Sequence, residues 1–534
     1  MVSDQWQSEI QNSKTKIQNP TFPVVVAGLA IFLTALDQTV VVTALWPIST
    51  DLQIPVTELD RAAWVVTAYL LGYTVALPLM GRVADVYGQR TIFLVALGIF
   101  TLGSVLCALS PSLEWLIGAR FLQAMGGGAV LPVGMAMVSH LFSDKRIPFM
   151  LGLLAAIAEA GGVIGPLWGA MVMKMGGFLD IVGWRWIFWV NVPLCLLLGF
   201  LMLRMPALPR YPGKIDWPGA FLLGGALFAL SLALSTPGSV GAWAGLDTQP
   251  GANNPDTANL VTPFSAGLFV VALLLLFAFA WWQRHASDPL LPPTLFSTQK
   301  WPFVAANLTN FLVGAALIIT MVNTPLYVVS VLDGTTEQGG LMLLRMTAFI
   351  PVGAVLGGML GTRTPYRWIG MVGLLVTAAG FWLMAGWTTG SADYPQTWLG
   401  LALNGTGFGL LLAPVTATAL QWAGRGHAAL SAASVNLSRM VGMMLSLSAL
   451  TVVGLRHFQS RMASHPAVIF ANPGETAEAF AARQAEYTAI YKAVSLEVFT
   501  GGFFIAGLIC LLAITVVIWL KRNPASDVEA GPVF

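Results

Sequence analysis

The sequence predicts an all-α membrane protein built as two six-helix bundles with two helices inserted between them. Three observations predict it. Of 534 residues, 56% are hydrophobic and only 9% are charged, whereas a soluble core of this size would be covered by far more charge. Apolar runs of about 20 residues, the length that spans a bilayer as a helix, recur along the whole chain. And a short polar stretch in the first half has a weak copy at the matching place in the second.

The runs fall near 23–48, 61–81, 91–110, 113–140, 147–174, 186–205, 217–236, 263–283, 302–325, 339–361, 368–388, 397–420, 428–455 and 494–520. About fourteen spans put both termini on one side. Sixteen of the 26 Lys and Arg residues fall on that side, among them Lys14, Lys16, Arg82, Arg90, Arg204, Arg363, Arg367 and Lys521; seven fall opposite and three inside spans. This bias makes the termini cytoplasmic. The polar first twenty residues are not followed by a short apolar region with a small-residue cleavage site, so no removed signal peptide is expected.

The repeat pairs "GRVADVYGQR" (81–90) with "GMLGTRTPYR" (358–367): Gly81 matches Gly358, Arg90 matches Arg367, and Asp85 becomes Thr362. It divides the chain into an amino-terminal bundle (1–205), a linker with two extra spans (206–290) and a carboxy-terminal bundle (291–534). Related halves of this kind face one another across a site near the membrane midplane. Residues 456–492 form an unusual outward connection, rich in Ala, Glu and Gln, with Asn472-Pro473-Gly474 as a start signal. A helix running unbroken from about 475 to 520 would be about 70 Å long, against a bilayer of about 30 Å, so the last two helices extend outward; an ordinary loop with a short surface helix is the alternative.

Ionisable groups inside spans mark function by default and seek partners, because each costs roughly 2.5–3.5 kcal/mol at a helix centre. Asp37 lies about 20 Å along the first helix and Arg120 about 10 Å below the outer end of the fourth. Asp37 is the expected proton carrier and Arg120 the group that sets its pKa, unless the two form a static pair. Glu159 and Arg439 lie about 18 and 17 Å into helices that run the same way, one in each half. They are expected to bridge the halves, with Glu159 as a neutral acid in its own half as the alternative. Arg345, near the outer end of its helix, is expected to snorkel. The stretch Gly161, Gly165, Pro166, Gly169 suits tight helix packing and bending.

Several classes are set aside. A net charge of +2 does not suggest nucleic-acid binding. No phosphate loop, catalytic Ser/His/Asp or Cys/His set, metal-ligand spacing or disulfide framework is present in the sequence, so no enzyme, cofactor or metal is expected. Trp184, Trp186 and Trp189 fit an interfacial belt.

Taken together the motifs resemble those of the major facilitator superfamily. "GRVADVYGQR", with Gly81, Arg82, Asp85, Gly88 and Arg90, looks like its signature loop between the second and third helices, which implies a conformational latch. "LIGARFLQAMGGG" resembles its fourth-helix motif and carries Arg120. "GGVIGPLWGA" resembles the fifth-helix antiporter motif, with Ala170 in place of the final Gly. "LDQTVVVTALWPI" is similar to the first helix of the fourteen-helix drug:proton antiporters, without the usual Asn, and matches that family's Asp at Asp37. Within this class, "WVVTAYLLGYTVALPLMGRVAD", "AAIAEAGGVIGPLWG", "SRMVGMMLSLSALTVVGLRHF" and "IYKAVSLEVFT" look like the mycobacterial triacylglyceride transporters. That likeness implies proton-coupled export of bulky apolar lipid by alternating access in a bacterial inner membrane, with an extracytoplasmic lipoprotein acceptor. Its partners would be protons, membrane lipids and a lipid or lipophilic small molecule. The alternatives are a multidrug:proton antiporter for amphipathic or cationic drugs, a uniporter or importer, and a non-transporting scaffold or lipid sensor.

Overall fold

A computed structural model describes residues 21–54, 59–174, 183–205, 208, 210, 213–234, 263–297, 300–390, 395–465 and 476–521. Among these, all regular elements are helical. They are α1 (Thr21–Asp51), α2 (Leu59–Tyr87), α3 (Gln89–Ala108), α4 (Leu113–Leu141), α5 (Ile147–Met173), α6 (Gly183–Leu203), α7 (Trp217–Leu234), α8 (Pro263–Gln283), α9 (Trp301–Ser330), α10 (Glu337–Gly361), α11 (Tyr366–Ala385), α12 (Pro395–Ala423), α13 (Ala428–Met462) and α14 (Ala477–Val517). Thirteen are long and apolar enough to cross a membrane; α7 is shorter, with an apolar stretch at Trp217–Ala233. Polar caps start several of them. Ser112 accepts from the Trp115 amide at the start of α4, Thr335 and Gln338 form a reciprocal capping box before α10, and Thr476 accepts from Ala479 before α14.

The same packing occurs twice. In α1–α6, α1 lies along α5, α2 along α4, and α3 along both α4 and α6. In α9–α14, α9 lies along α13, α10 along α12, and α11 along both α12 and α14. The two bundles meet where α2 packs on α13 and where α5 packs on α10. The inserted α7 and α8 pack on each other, and α7 leans on α2 and α13.

Three boundaries differ from the sequence reading. The stretch read as a loop after the second span is helical to Tyr87, and Gly88 alone, at φ 96°, separates α2 from α3. That backbone conformation favours glycine, and burial of Arg82 and Asp85 gives the extra turns tertiary support. The tenth span divides at Ala348 into Thr336–Thr347 and Phe349–Gly361, because Pro351 has no N–H to offer the Thr347 carbonyl. The thirteenth helix runs past 455 to Met462, whereas α14, beginning at Ala477, is the long last helix that the sequence predicts from about 475. At 35 and 41 residues these last helices are about 52 and 61 Å long, well beyond a 30 Å hydrocarbon core. Lys14, Lys16, Arg522 and the polar loop at 241–260 lie outside the described residues.

Arg82, Arg90, Arg363, Arg367 and Lys521 gather at one end of the bundle, here termed the basic end; the extended part of α14 marks the other.

Candidate functional site

The first intramembrane cluster sits where α1 meets α4. Arg120 Nη1 lies 2.6 Å from Asp37 Oδ2, and both side chains are 0% exposed. The pair is embedded in neutral polar groups. Asp37 Oδ1 accepts from Asn191 Nδ2 of α6 at 2.6 Å and from Gln123 Nε2 at 3.1 Å. Gln123 returns its carbonyl oxygen to Arg120 Nη1 at 2.7 Å and donates to Ser104 Oγ of α3 at 2.8 Å. The guanidinium carbon stands 4.2 Å over the ring of Tyr69, whose hydroxyl donates to the Thr34 carbonyl at 3.2 Å. Arg120 Nε has no hydrogen-bond partner. A buried ion pair is tolerated where further hydrogen bonds satisfy its members, and loss of either partner leaves a stranded charge. The Asp37 carboxyl thus accepts from one guanidinium and two side-chain amides in a fully buried site.

The second cluster spans the two bundles. Arg439 Nη1 of α13 donates to Glu159 Oε1 of α5 at 3.0 Å. These side chains are 13% and 25% exposed, so unlike Asp37 this pair lines accessible space. Arg439 Nε has no hydrogen-bond partner. Arg345 takes no part: its guanidinium carbon lies 4.1 Å over the ring of Trp398 on α12, which gives its charge an aromatic face.

The fifth-helix glycines explain how α5 comes to lie against α1 beside these clusters. A Cβ on Gly161 would stand 2.6 Å from the Phe32 carbonyl oxygen, and one on Gly169 2.6 Å from Thr43 Oγ1; one on Gly165 would collide with Thr39. Pro166 leaves the Gly162 carbonyl without its helical partner. Thr39 Oγ1 supplies the missing donor at 3.0 Å, and α5 runs through the proline as one helix. The motif thus joins α5 to α1 two residues from Asp37.

At the basic end, the α2 terminus is fastened to the start of α13. Asp85 Oδ1 accepts from the Ala429 amide at 2.9 Å, and Oδ2 from the Leu430 amide at 3.0 Å. These are first-turn amides, which have no acceptor within their own helix and carry the positive end of its dipole. Gly81 permits the approach: a Cβ there would stand 2.8 Å from Ala433 Cβ. Gly152 of α5 and Gly358 of α10 make the equivalent contact on the other seam; a Cβ on Gly152 would lie 2.9 Å from Gly358 Cα. The remaining motif residues face elsewhere. Arg90 Nη2 donates to the Leu203 carbonyl of α6 at 2.6 Å, and Gly88 lies against the Arg210 side chain. Arg82 is buried.

A sequence profile described as Major Facilitator Superfamily matches residues 27–447, which takes in both clusters and the α2–α13 fastening. The chain belongs to the major facilitator superfamily. Among its relatives, a triacylglyceride transporter of Mycolicibacterium hassiacum is 33% identical over 461 residues, covering 84% of this chain and 82% of the relative. The triacylglyceride transporter of Mycobacterium tuberculosis strain H37Rv is 32% identical over 497 residues, with 91% of each chain covered. Solved structures of similar fold include the proton:xylose symporter XylE bound to 6-bromo-6-deoxy-D-glucose. It shares 14% identity at a TM-score of 0.61, covering 96% of this chain and 98% of XylE. A bacterial homologue of the human lysosomal transporter Spinster, in an inward-facing, unoccupied conformation, shares 17% identity at a TM-score of 0.53, covering 95% and 99%.

As a member of this superfamily the chain is a multi-pass transporter. Four of its site residues escaped the sequence reading: Gln123, Asn191, Tyr69 and Thr39. Each is a neutral polar side chain within an apolar span. The signal for Gln123 was its position one helical turn after Arg120, where side chains share a face.

Proposed function

We propose that this transporter exports bulky apolar lipid, of the triacylglyceride class, by proton-coupled alternating access. The observation that carries the reading is that both intramembrane carboxylates, Asp37 and Glu159, are matched by guanidinium groups at 2.6 and 3.0 Å. A cavity with no surplus charge suits a neutral ligand, and the relatives named as triacylglyceride transporters support the same class. The basic end is cytoplasmic, in a bacterial inner membrane, and its fastened seams make this a state closed toward the cytoplasm. Asp85 on the α13 amides is the latch of that state. Protonation of Asp37 frees Arg120 from one charge and lowers the barrier to rearrangement; Glu159 and Arg439 part when the halves rock open on the cytoplasmic side. The outward-reaching parts of α13 and α14 receive the lipid and present it to an extracytoplasmic acceptor lipoprotein.

The test is reconstitution in vesicles with a fluorescent triacylglyceride and an imposed pH gradient. Lipid movement should follow the gradient in the wild type, and Asp37→Asn should lose that dependence while still binding the lipid. Gradient-driven transport undiminished in Asp37→Asn would overturn the coupling role. A second reading rests on the part-exposed Glu159, which could meet an organic cation as a multidrug:proton antiporter would. Uptake of such a cation in competition with protons, with no lipid movement, would favour it. Absence of any pH-dependent movement between two states would favour a scaffold or sensor.

A further inference from the structure

The two bundles share one plan but not one finish at the basic end. In the first, Arg90 bridges to the Leu203 carbonyl at 2.6 Å and ties the start of α3 to the end of α6. Its counterpart in the second is Arg367, at the start of α11 beside the end of α14. Arg367 makes no such bond among the described residues; its guanidinium carbon lies 5.5 Å from the ring of its neighbour Trp368. The Lys521 carbonyl, near where a bridging arginine would reach, is taken instead by Trp422 Nε1 at 2.8 Å. The result is an open cavity of about 540 Å³ whose walls include Arg363, Arg367, Lys521, Tyr366 and Trp422. No carboxylate lines it, and no ion pair to any of its three cations occurs among the described residues.

Two further features fix its surroundings. Trp301, Trp368 and Trp519 are exposed beside it, with Trp301 and Trp519 edge to face at 6.5 Å, as in an aromatic belt at headgroup depth. Along the same α11–α14 seam lies an apolar groove bordered by Leu375, Trp382, Phe504, Leu508 and Leu511. It begins eight residues above Arg367, about 12 Å deeper into the bilayer. Cations at the interface with an apolar groove below them match a phosphate joined to acyl chains. Basic pockets between membrane helices take anionic headgroups for this reason.

We propose that the α11–α14 seam binds one anionic phospholipid, its phosphodiester between Arg363, Arg367 and Lys521 and an acyl chain entering the near end of the groove beside Leu375 and Leu511. This site lies on the outer wall of the second bundle, apart from both carboxylate clusters, and its occupant is a fixed membrane lipid rather than cargo.

The experiment uses the full chain in nanodiscs of mixed phosphatidylcholine and phosphatidylglycerol, followed by gentle extraction and native mass spectrometry of retained lipid. Wild type should hold one phosphatidylglycerol that Arg363→Gln, Arg367→Gln and Lys521→Gln each weaken by about fivefold, the effect of one interfacial charge. Arg367→Lys, which keeps the charge, should retain it. Arg204→Gln and Arg284→Gln, at the same end but outside the pocket, should behave as wild type. Equal loss in those two controls, or no loss in the pocket variants, would overturn the site. Displacement by millimolar inorganic phosphate would assign the cavity to a soluble anion and overturn the lipid. Retention only after removal of residues 523–534 would assign the cavity to the chain's own tail and would likewise overturn the lipid.

Discussion

His427 shows how a single side chain can report on the state of the basic end. It occupies the position just before α13, two residues from the amide that Asp85 holds. Burial, with the nearby positive charges of Arg82 and Lys300, pushes its pKa down to about 4 from the ordinary 6.5. A depressed histidine pKa means that the folded, fastened form binds a proton less readily than any form in which the ring is hydrated. Stability from this source is complete above about pH 6.5 and is lost as pH falls toward about 4. Thermal unfolding of the purified protein should accordingly show a lower midpoint at pH 5 than at pH 7.5, and His427→Asn should flatten that slope. An unchanged slope in the variant would assign the acid sensitivity elsewhere. Gln123 and Asn191, the neutral partners of Asp37, carry no charge to betray them; Gln123 is signalled only by its place one turn after Arg120, and Asn191 only by the contact itself.

At the scale of helices, close approach joins the bundles at the basic end together with the Asp85 hydrogen bonds to α13. Gly81→Val should prevent the α2–α13 seam from closing, because its Cβ alone would stand 2.8 Å from Ala433 Cβ and 2.9 Å from the Ala429 carbonyl oxygen. Distances between spin labels across the basic end should lengthen, and transport should fall by more than tenfold, since a ligand-independent bias of a few kcal/mol empties one of the two states. Labels at wild-type distance would show that the helices shift to admit the methyl groups and that the glycine is dispensable. Much of this layer could be read from the chain. Apolar run length gave the spans, and intramembrane charges singled out Asp37, Arg120, Glu159 and Arg439. What could not be read was where some helices end, α2 and α13 among them. The turns carrying Arg82 and Asp85 are polar enough to look like loop, and only their burial against α13 makes them helix. Likewise the break at Ala348 arises from Pro351, whose effect on a span depends on how neighbouring helices re-satisfy the freed carbonyl.

For the molecule as a whole, the Glu159–Arg439 ion pair joins the two bundles. Glu159→Arg and Arg439→Glu should each abolish transport by placing like charges together. The double exchange should recover a substantial share, because the pair is part-exposed and its partners are few. A double variant as inactive as the singles would remove the bridge from the transport cycle. The length of α14 has a mechanical consequence of its own. Lys492 is ion-paired with Asp333 in the α9–α10 connection, a surface contact part-way along this helix. The fifteen residues from Ala477 to Tyr491 lie beyond that ion pair, a length of about 22 Å of helix. A tilt of about 10° in the second bundle would sweep the tip of the whole 61 Å rod through about 10 Å. Small rocking at the membrane's core would thus become a stroke large enough for another molecule to feel.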